Sequence, residues 1–493
     1  MLELYFSKFR EQIIGLDATI DTPYHEKLPV VYADWTASGR NLKSIEKRMA
    51  EEFMPLVANT HTETTSTGTA MTYAYKQAKG IIKTHVNASD DDVFISCGSG
   101  MTGAINKFQR ILGLRVHERY KSLLELTEED RPIIFVTHME HHSNQTSWLE
   151  TIADVRIVEP NKEGLVCLES FEKTVAEYAN RKTKIAAITS CSNVTGIMTN
   201  YHAVAKIMHQ ADGYCFVDFA CSAPYVDINM HPLDESERLD AIYFSPHKFL
   251  GGPGTTGVLV FNKKLYTNQV PDNPGGGTVD FTNPWGGHKF VDDIEAREDG
   301  GTPPFLQTIK IALCVKLKEQ MSVEKIQARE HELLDMIWPA LCPVENLHIL
   351  AMEHKNRLGV FSFYIDGLHY NIGVKMLNDR YGIQTRGGCS CAGTYGHYLL
   401  NVDSETSKNI SDHIESGDCS LRPGWIRMSI HPTTTDAEMK YILESIKDLA
   451  ENFPKWMDDY TLDGQTTSVS HKNEEGMLRL KARMDDLLKE DLA

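Results

Sequence analysis

The sequence predicts an α/β protein built on a mainly parallel sheet, because three features agree. Short apolar runs alternate with helical stretches from about residue 90 onward. Each run has too few polar residues to face water on either side, which is typical of strands buried on both faces. The chain has 493 residues, 41% hydrophobic and 24% charged, which suffices for a large core and more than one domain.

The first part of the pattern predicts six buried strands with helices between several of them. These strands are expected at 92–97, 132–138, 154–159, 184–190, 214–219 and 241–245. A further run at 254–261 follows the sixth strand closely. The short gap allows this run to be an antiparallel neighbour of the sixth strand.

A change of pattern after a stretch rich in Gly, Pro and Asn (271–304) predicts a smaller α+β domain. Helical segments cover about 305–340, a strand is expected at 361–365, a helix follows at 370–382, and a strand is expected at 426–430. Thr435 or Asp436 is suited to cap a last helix. Its apolar residues share one face: Met439, Ile442, Leu443, Ile446 and Leu449.

We therefore expect four parts: an N-terminal segment (1–30), a large α/β domain (31–304), a small C-terminal α+β domain (305–462), and a linker with an amphipathic tail (463–493). Residues 397–424 are polar, and we predict an inserted, irregular surface loop there. The tail is predicted to be a helix that packs on its own body or frays. Its apolar face would hold Met477, Leu480, Met484, Leu487 and Leu488.

The charge and the cysteine content limit the classes of function. A formal charge of -18, from 68 acidic and 50 basic residues, argues against general affinity for nucleic acid or anionic membranes. No stretch approaches the roughly 20 apolar residues of a membrane span, and the first residues lack a signal-peptide core. The ten cysteines are scattered and form no disulfide framework. A cytoplasmic protein is therefore expected.

The strongest chemical signal is the segment from Ser245 to Gly254, which contains Lys248. This lysine follows a buried strand and lies between a histidine and a glycine-rich turn. An amine in such a place can serve as a nucleophile, and glycines let the backbone approach a flat ligand closely. Taken alone, the segment is equally compatible with a surface lysine at a turn.

Two further features point to the same ligand. Asp218 ends an apolar strand, where ligands bind in parallel sheets and where a carboxylate can pair with a protonated pyridine nitrogen. A helix N-cap is the alternative role for Asp218. The turn from Ser96 to Gly103, with Ser99 and Gly100 at its centre, precedes an amphipathic stretch and suits a phosphate. Together these features predict pyridoxal 5'-phosphate (PLP) bound to Lys248 as a Schiff base.

With these residues, the chain resembles the class V aminotransferase superfamily of fold type I PLP enzymes, and within it the cysteine desulfurase and selenocysteine lyase branch. The resemblance covers roughly residues 30 to 455 and includes the entry strand Tyr32–Ser38. It implies a PLP-binding large domain, a transferase or lyase activity on an amino acid, and a homodimer with shared active sites.

The resemblance also implies roles for residues around the cofactor. Met139–Asn144 matches a Glu-His-His-x-Asn motif, which places His141 over the cofactor ring. A zinc site formed by His138, His141 and His142 is the alternative, but it lacks obvious further ligands, so no metal is expected. The remaining matches assign Asn193 to the cofactor's phenolic oxygen or the substrate, Ser245 and His247 to the phosphate, and Thr302 to the phosphate of a neighbouring subunit.

The segment Arg386–Gly393 resembles the loop that carries the sulfur-accepting cysteine of desulfurases, which implies that Cys391 is the nucleophile. In that chemistry Lys248 moves the α-proton of cysteine, and the thiolate takes the substrate sulfur to leave a persulfide and alanine. Arg386 is expected to act on the thiolate and the substrate, and Arg427 to bind the substrate carboxylate. Cys389 has no counterpart. It could resolve the persulfide, form a redox pair or have no role.

Three departures from the family pattern leave the substrate open. Cys221 replaces the usual glutamine or histidine, Asn59–Thr62 lacks an arginine, and the insertion 397–424 lengthens the path from Cys391 to Arg427. The leading hypothesis is a cysteine desulfurase that passes sulfur to an acceptor protein. An aminotransferase, or a lyase on another amino acid or conjugate, is the second. An inactive scaffold is the third, and the combination of Lys248, Asp218 and His141 argues against it.

Overall fold

The computed structural model describes residues 1–60 and 62–491, so His61 and the last two residues of the tail lie outside it. The described chain forms two compact units. The large unit comprises Ser38–Ser192 and Ile197–Glu324. The small unit comprises Met1–Ala37, Asn193–Gly196 and the chain from Lys325 onward. The predicted α/β class is confirmed.

A seven-stranded sheet is the centre of the large unit, and its strands match the seven predicted runs closely. The strands are β1 (Asp92–Cys97), β2 (Ile133–Thr137), β3 (Asp154–Val158), β4 (Lys184–Thr189), β5 (Tyr214–Asp218), β6 (Ala241–Phe244) and β7 (Gly257–Asn262). Their order across the sheet is β1-β7-β6-β5-β4-β2-β3. β7 is antiparallel to both β1 and β6, as the short connection allows, and the other neighbours are parallel.

Helices of the large unit bury the apolar strands, which explains why the runs carry so few polar residues. Phe108, from the helix Met101–Ile111, packs on Phe216 of β5 with ring centroids 5.0 Å apart. An exposed hairpin, Val279–Thr282 with His288–Phe290, occupies the Gly/Pro/Asn-rich stretch. The helices are Lys43–Arg48, Ser66–His85, Met101–Ile111, Glu118–Lys121, His142–Leu149, Leu168–Glu177, Tyr201–Gln210, Ile294–Glu298 and Phe305–Met321.

The small unit is built on a four-stranded antiparallel sheet. Its strands are β8 (Leu347–Ile349), β9 (Val360–Ile365), β10 (Arg386–Gly388) and β11 (Trp425–Ser429), in the order β8-β9-β11-β10. Thr435 caps the helix Asp436–Asn452 as predicted, in a reciprocal capping box with Glu438. The other helices are Leu2–Arg10, Val323–Asp335 except its first two residues, Ile337–Leu341, Tyr370–Tyr381, Gly393–Leu399, Ser404–Glu415 and Glu475–Lys489.

The N-terminal segment packs within the small unit, which the linear domain ranges do not anticipate. Short strands Thr19–Ile20 and Leu28–Pro29 pair with each other, and Val31–Tyr32 runs parallel to Ile383–Gln384. The backbone N–H of Thr36 donates to Ser429 Oγ at 2.8 Å. The entry strand is therefore held by β11 and its neighbours, which lie almost 400 residues away in sequence.

The prediction of an irregular loop at 397–424 is wrong in part. The helix Ser404–Glu415 lies within this range, and none of its residues is buried. Asp403 begins the helix by accepting a hydrogen bond from the Thr406 N–H at 2.7 Å. The stretch lacks the apolar stripe that is typical of a packed helix, and a polar composition without such a stripe favours a loop.

The prediction of a linker at the start of the range 463–493 is also wrong in part. Val469–His471 pairs with Tyr460–Leu462 to form a hairpin. The buried ring of His471 meets Tyr24 and Tyr460 edge to face, with centroids 5.2 and 4.9 Å away. These partners are remote in sequence or precede the polar stretch, so its composition gave no sign of them.

The tail forms the expected helix, Glu475–Lys489, and most of its apolar residues are exposed. Leu478, Leu480, Met484, Leu487 and Leu488 all belong to this exposed set. Across the described ranges, no helix is both long enough and apolar enough to span a membrane.

The core of the small unit supplies a stability prediction. Ile446 is fully buried on the helix Asp436–Asn452, whereas its neighbour Lys447 is exposed. We expect Ile446→Ala to lower the free energy of unfolding of this unit by about 2–5 kcal/mol, because it leaves a cavity in packed surroundings. Urea unfolding followed by circular dichroism measures the change. Lys447→Ala is the control, and an equal loss in both variants would contradict the assigned packing.

Candidate functional site

Lys248 lies at the end of a tight turn that follows β6. The backbone N–H of Lys248 donates to Ser245 O at 3.0 Å, and the side chain is half-buried. The turn is backed by Gly39, whose N–H donates to His247 O at 2.9 Å. A Cβ on Gly39 would collide with the Phe249 carbonyl, so only glycine allows this close approach. No pattern in the sequence indicates this contact between Gly39 and the Lys248 turn, because the two segments lie far apart in the chain.

Three of the predicted phosphate residues come together at the start of the helix Met101–Ile111. Ser245 Oγ accepts a hydrogen bond from the Met101 N–H at 2.8 Å. A Cβ on Gly100 would lie 3.1 Å from Ser245 Oγ and 3.6 Å from the His247 ring. Burial, together with the charge of Lys248, lowers the pKa of His247 to about 4, so its ring is neutral at neutral pH. The Ser245 hydroxyl, the His247 ring and the N-terminus of this helix are groups that can bind an anion. Ser99, which precedes Gly100, is exposed.

Asp218 ends β5 and is 3% exposed. Its Oδ1 accepts a hydrogen bond from the Ala220 N–H at 2.8 Å. Burial raises the pKa of Asp218 to about 6, although the Ala220 hydrogen bond and the positive charge of Lys248 both oppose this rise. Within the described chain, no residue donates a hydrogen bond to Oδ2. The carboxylate is therefore suited to a cationic N–H partner, as a pyridinium would be.

A second buried carboxylate, Glu140, lies at the centre of a hydrogen-bond network. Glu140 belongs to the Glu-His-His-x-Asn motif, but no pattern in the sequence indicated its role. It accepts hydrogen bonds from Thr137, from the Thr189 N–H at 3.0 Å and from Asn144 Nδ2 at 2.7 Å. Asn144 Oδ1 in turn accepts from Tyr243 Oη at 2.7 Å. Burial raises the pKa of Glu140 to about 7. Glu140 and Asn144 therefore connect β2, β4 and β6 through hydrogen bonds to Thr137, Thr189 and Tyr243.

His141 and Thr302 both belong to the large unit. His141 caps the helix His142–Leu149, and its Nδ1 accepts a hydrogen bond from the Ser143 N–H at 3.1 Å. Thr302 is exposed and lines a cavity of about 650 Å³ together with Cys97 and Gly98. Among the residues described, no group of three or more His, Cys, Asp and Glu side chains is arranged to hold a metal ion.

In the small unit, Arg427 is buried at 2% exposure. Its Nη2 donates to Asp34 Oδ1 at 2.6 Å, and its Nη1 donates to Asn193 O at 3.3 Å. The Nε–H is buried and has no hydrogen-bond partner among the described residues. A buried donor without a partner is costly, so this guanidinium is suited to donate to a further oxygen, such as that of a carboxylate. Asp34 was part of the quoted entry strand, but its pairing with Arg427 was not foreseen.

Cys391 lies on a turn after β10, close to the predicted Arg386. Arg386 Nη2 is 3.7 Å from Cys391 Sγ, and both side chains reach solvent in part. Asn193 Nδ2 donates to Ser390 O at 2.7 Å, which ties Asn193 to this turn. The small unit therefore brings together Asn193, Arg386, Cys391 and Arg427, while the large unit holds the other predicted site residues.

A family model described as aminotransferase class-V matches residues 31–442. A probable cysteine desulfurase of Halalkalibacterium halodurans is 29% identical over 368 residues, which cover 74% of this chain and 84% of the relative. A probable cysteine desulfurase of Staphylococcus epidermidis is 28% identical over 367 residues, covering 74% and 83%.

Solved structures share the fold. The apo structure of a cysteine desulfurase from Thermococcus onnurineus superposes with a TM-score of 0.69 at 22% identity, over 88% of this chain and 100% of that one. The cysteine desulfurase CsdA from Escherichia coli also gives 0.69, at 20% identity, over 90% and 98%. These likenesses establish the fold.

The raised pKa of Asp218 predicts a pH-dependent stability in protein stripped of cofactor. Above about pH 6 the buried carboxylate is ionised in the folded state, which lowers the free energy of unfolding. Below about pH 4 the carboxyl is protonated in both the folded and the unfolded chain, so this destabilisation disappears. Stability due to this group is thus lost as the pH rises through 6. We expect Asp218→Asn to be more stable than the wild type by roughly 1–3 kcal/mol near pH 8 and to match it near pH 4.

Thermal unfolding across this pH range measures the difference, with the exposed Asp212→Asn as the matched control. A difference between wild type and Asp218→Asn that does not change with pH would contradict the assigned titration.

Proposed function

This chain belongs to the aminotransferase class-V family, and we propose that it is a PLP-dependent cysteine desulfurase. The observation that carries the proposal is the pairing of Cys391 with the Arg386 guanidinium at 3.7 Å on a turn that reaches solvent. The guanidinium lies within hydrogen-bonding distance of the Cys391 sulfur and can hold it in position for attack on a substrate sulfur. An aminotransferase has no need for a cysteine in this position.

The large unit fits PLP in three respects. The Asp218 carboxylate, with one oxygen free of hydrogen bonds from the described residues, suits the pyridine nitrogen. Gly100, Ser245 and His247 supply a cradle of suitable size and donors for the phosphate. Lys248 adjoins both groups, because its charge acts on Asp218 and on His247. We assign the covalent attachment to Lys248 and the face of the ring to His141.

When bound, the cofactor would supply the electron sink that stabilises negative charge on the substrate's carbon. The side chains then have separate tasks. Asp218 keeps the pyridine nitrogen protonated, since an ionised carboxylate in a buried place favours a cationic partner. The Lys248 amine, once released, moves the proton at the substrate Cα.

Cys391 takes the sulfur. Its thiolate Sγ forms a bond to the substrate sulfur while the Cβ–S bond of the substrate breaks, and Cβ then receives a proton. The products are a persulfide on Cys391 and alanine. Arg386 holds the thiolate before this step.

Arg427 is proposed to bind the substrate carboxylate through its unsatisfied Nε–H and the adjoining N–H groups. Asp34 already accepts one of these donors at 2.6 Å. The substrate must therefore share the guanidinium with Asp34 or displace it. A small amino acid with one carboxylate meets this requirement with the least rearrangement.

The same proposal includes three wider expectations. The exposed Thr302, on a cavity beside the glycine-rich turn, supports a homodimer in which it serves the phosphate of the neighbouring subunit. All ten cysteines are free, which supports a cytoplasmic location. A partly exposed Cys391 supports delivery of sulfur to an acceptor protein.

Lys248→Ala should remove the visible absorbance of the covalently attached cofactor and lower turnover by about a thousandfold, because no other amine replaces it. Absorbance spectra of the purified protein and steady-state kinetics measure the two effects. Lys248→Arg keeps the positive charge near Asp218 and should lose the absorbance as well, whereas the exposed Lys263→Ala should keep both properties. Retention of the native spectrum in Lys248→Ala would eliminate this assignment.

Cys391→Ser should keep the cofactor spectrum but lower the release of sulfur from L-cysteine by at least about a hundredfold, because the hydroxyl is a poor acceptor of sulfur. Alanine and sulfide are assayed together after incubation with L-cysteine and a thiol reductant. Equal amounts are expected from the wild type. The exposed Cys342→Ser is the matched control. If the wild type forms keto acid and needs an amino acceptor, the aminotransferase hypothesis replaces this one.

A further inference from the structure

The residues Cys389 to Ala392 form a tight turn with two unusual conformations. The Ala392 N–H donates to Cys389 O at 2.9 Å, which closes the turn. Its two central residues, Ser390 and Cys391, have φ of 52° and 58°. Positive φ at both central positions is typical of a type I′ turn, which normally requires Gly, Asn or Asp. Serine and cysteine therefore hold a conformation that is costly for them.

Two buried hydrogen bonds hold this turn in place through Ser390. Asn193 Nδ2 donates to Ser390 O at 2.7 Å, and Trp425 Nε1 donates to Ser390 Oγ at 3.2 Å. Ser390 is itself buried, whereas Cys389 and Cys391 on either side are part-exposed. The central residue thus anchors the turn, and the two cysteines remain accessible at its edge.

The left-handed residue between the cysteines sets their separation. A single residue of this conformation is the mirror image of an α-helical residue, so the Cα atoms that flank it lie about 5.4 Å apart. Disulfides in proteins join Cα atoms about 4.4–6.8 Å apart. The Cα spacing that this conformation gives to Cys389 and Cys391 therefore falls within the range of disulfides.

We propose that Cys389 is a resolving nucleophile, which releases the sulfur carried by Cys391 as hydrosulfide. This inference rests on the proposed function, which supplies the persulfide. Cys389 Sγ attacks Cys391 Sγ, a bond forms between these two atoms, and the bond from Cys391 Sγ to the terminal sulfur breaks. The terminal sulfur leaves with the electron pair and takes the proton of Cys389. The terminal sulfur is reduced, Cys389 Sγ is oxidised, and Cys391 Sγ keeps its oxidation state as it exchanges one sulfur partner for the other.

Turnover then needs a dithiol reductant, which converts the disulfide back to two thiols and is itself oxidised to a disulfide. Each cycle that ends in this way would use a dithiol protein or small dithiol and release free sulfide, in competition with transfer of the sulfur to an acceptor protein. A desulfurase with one cysteine on this loop has no internal group for that step, and its persulfide waits for an external thiol.

The test is a single turnover in buffer without thiols, with less than one equivalent of L-cysteine per PLP-loaded subunit. Alanine and sulfide are quantified, and the peptide with both cysteines is analysed by mass spectrometry after alkylation. In the wild type, we expect sulfide equal to alanine and a Cys389–Cys391 disulfide. In Cys389→Ser, we expect the same alanine, a persulfide on Cys391 and at least about tenfold less sulfide until dithiothreitol is added. Cys342→Ser should behave as the wild type.

The possible failures can be told apart. Alanine with a stable wild-type persulfide, or unchanged sulfide release from Cys389→Ser, would overturn the role of Cys389 and leave the proposed function intact. Absence of alanine from the wild type would overturn the proposed function instead. In that case, inorganic polysulfide can load Cys391 directly. A persulfide that then persists equally in the wild type and in Cys389→Ser would refute the resolving step as well.

Discussion

Burying the Asp218 carboxylate at the end of β5 is the constraint on which the large unit's site depends. An ionised carboxylate in such a place is expensive unless a positive charge or hydrogen-bond donors compensate for lost water. The Ala220 N–H and the charge of Lys248 compensate in part, yet the pKa stays raised at about 6. A cationic ligand would therefore stabilise the ionised Asp218 carboxylate. Without such a ligand, the positive charge of Lys248 provides part of this stabilisation.

The same logic operates in the small unit with the opposite sign. Arg427 is a buried cation that Asp34 neutralises at 2.6 Å, and one of its donors still lacks a partner among the residues described. Asp34 lies within residues 1–37, which belong to the small unit, so this early part of the chain supplies the counter-charge of Arg427. The pairing of Asp34 with Arg427 also explains why the entry strand packs with chain that follows it by almost 400 residues.

Sequence patterns predicted most of the fold because its strongest signals are local. The buried strands, the antiparallel β7 and the Thr435 cap each depend on residues within a short window. The contact of His471 with Tyr24 and the packing of residues 1–37 join segments far apart in sequence, and no local pattern contains them. In the candidate site, residue types pointed to Asp218 and Lys248, and the family resemblance pointed to Ser245. The role of Asp34 and the shape of the cysteine turn appear only when distant segments meet.

The cysteine turn shows why the shape of the loop matters as well as its residues. An alternative with glycine at position 390 would adopt the same turn with less strain, but it would lose the buried hydroxyl that Trp425 binds at 3.2 Å. Ser390 therefore adopts a less favourable backbone conformation than glycine would, but its hydroxyl accepts a hydrogen bond that holds the turn in place. That hydrogen bond fixes the orientation of the residues on both sides of Ser390, and these are the two cysteines. Strain of this kind persists only where the surroundings hold it, and here the hydrogen bonds from Asn193 and Trp425 to Ser390 do so.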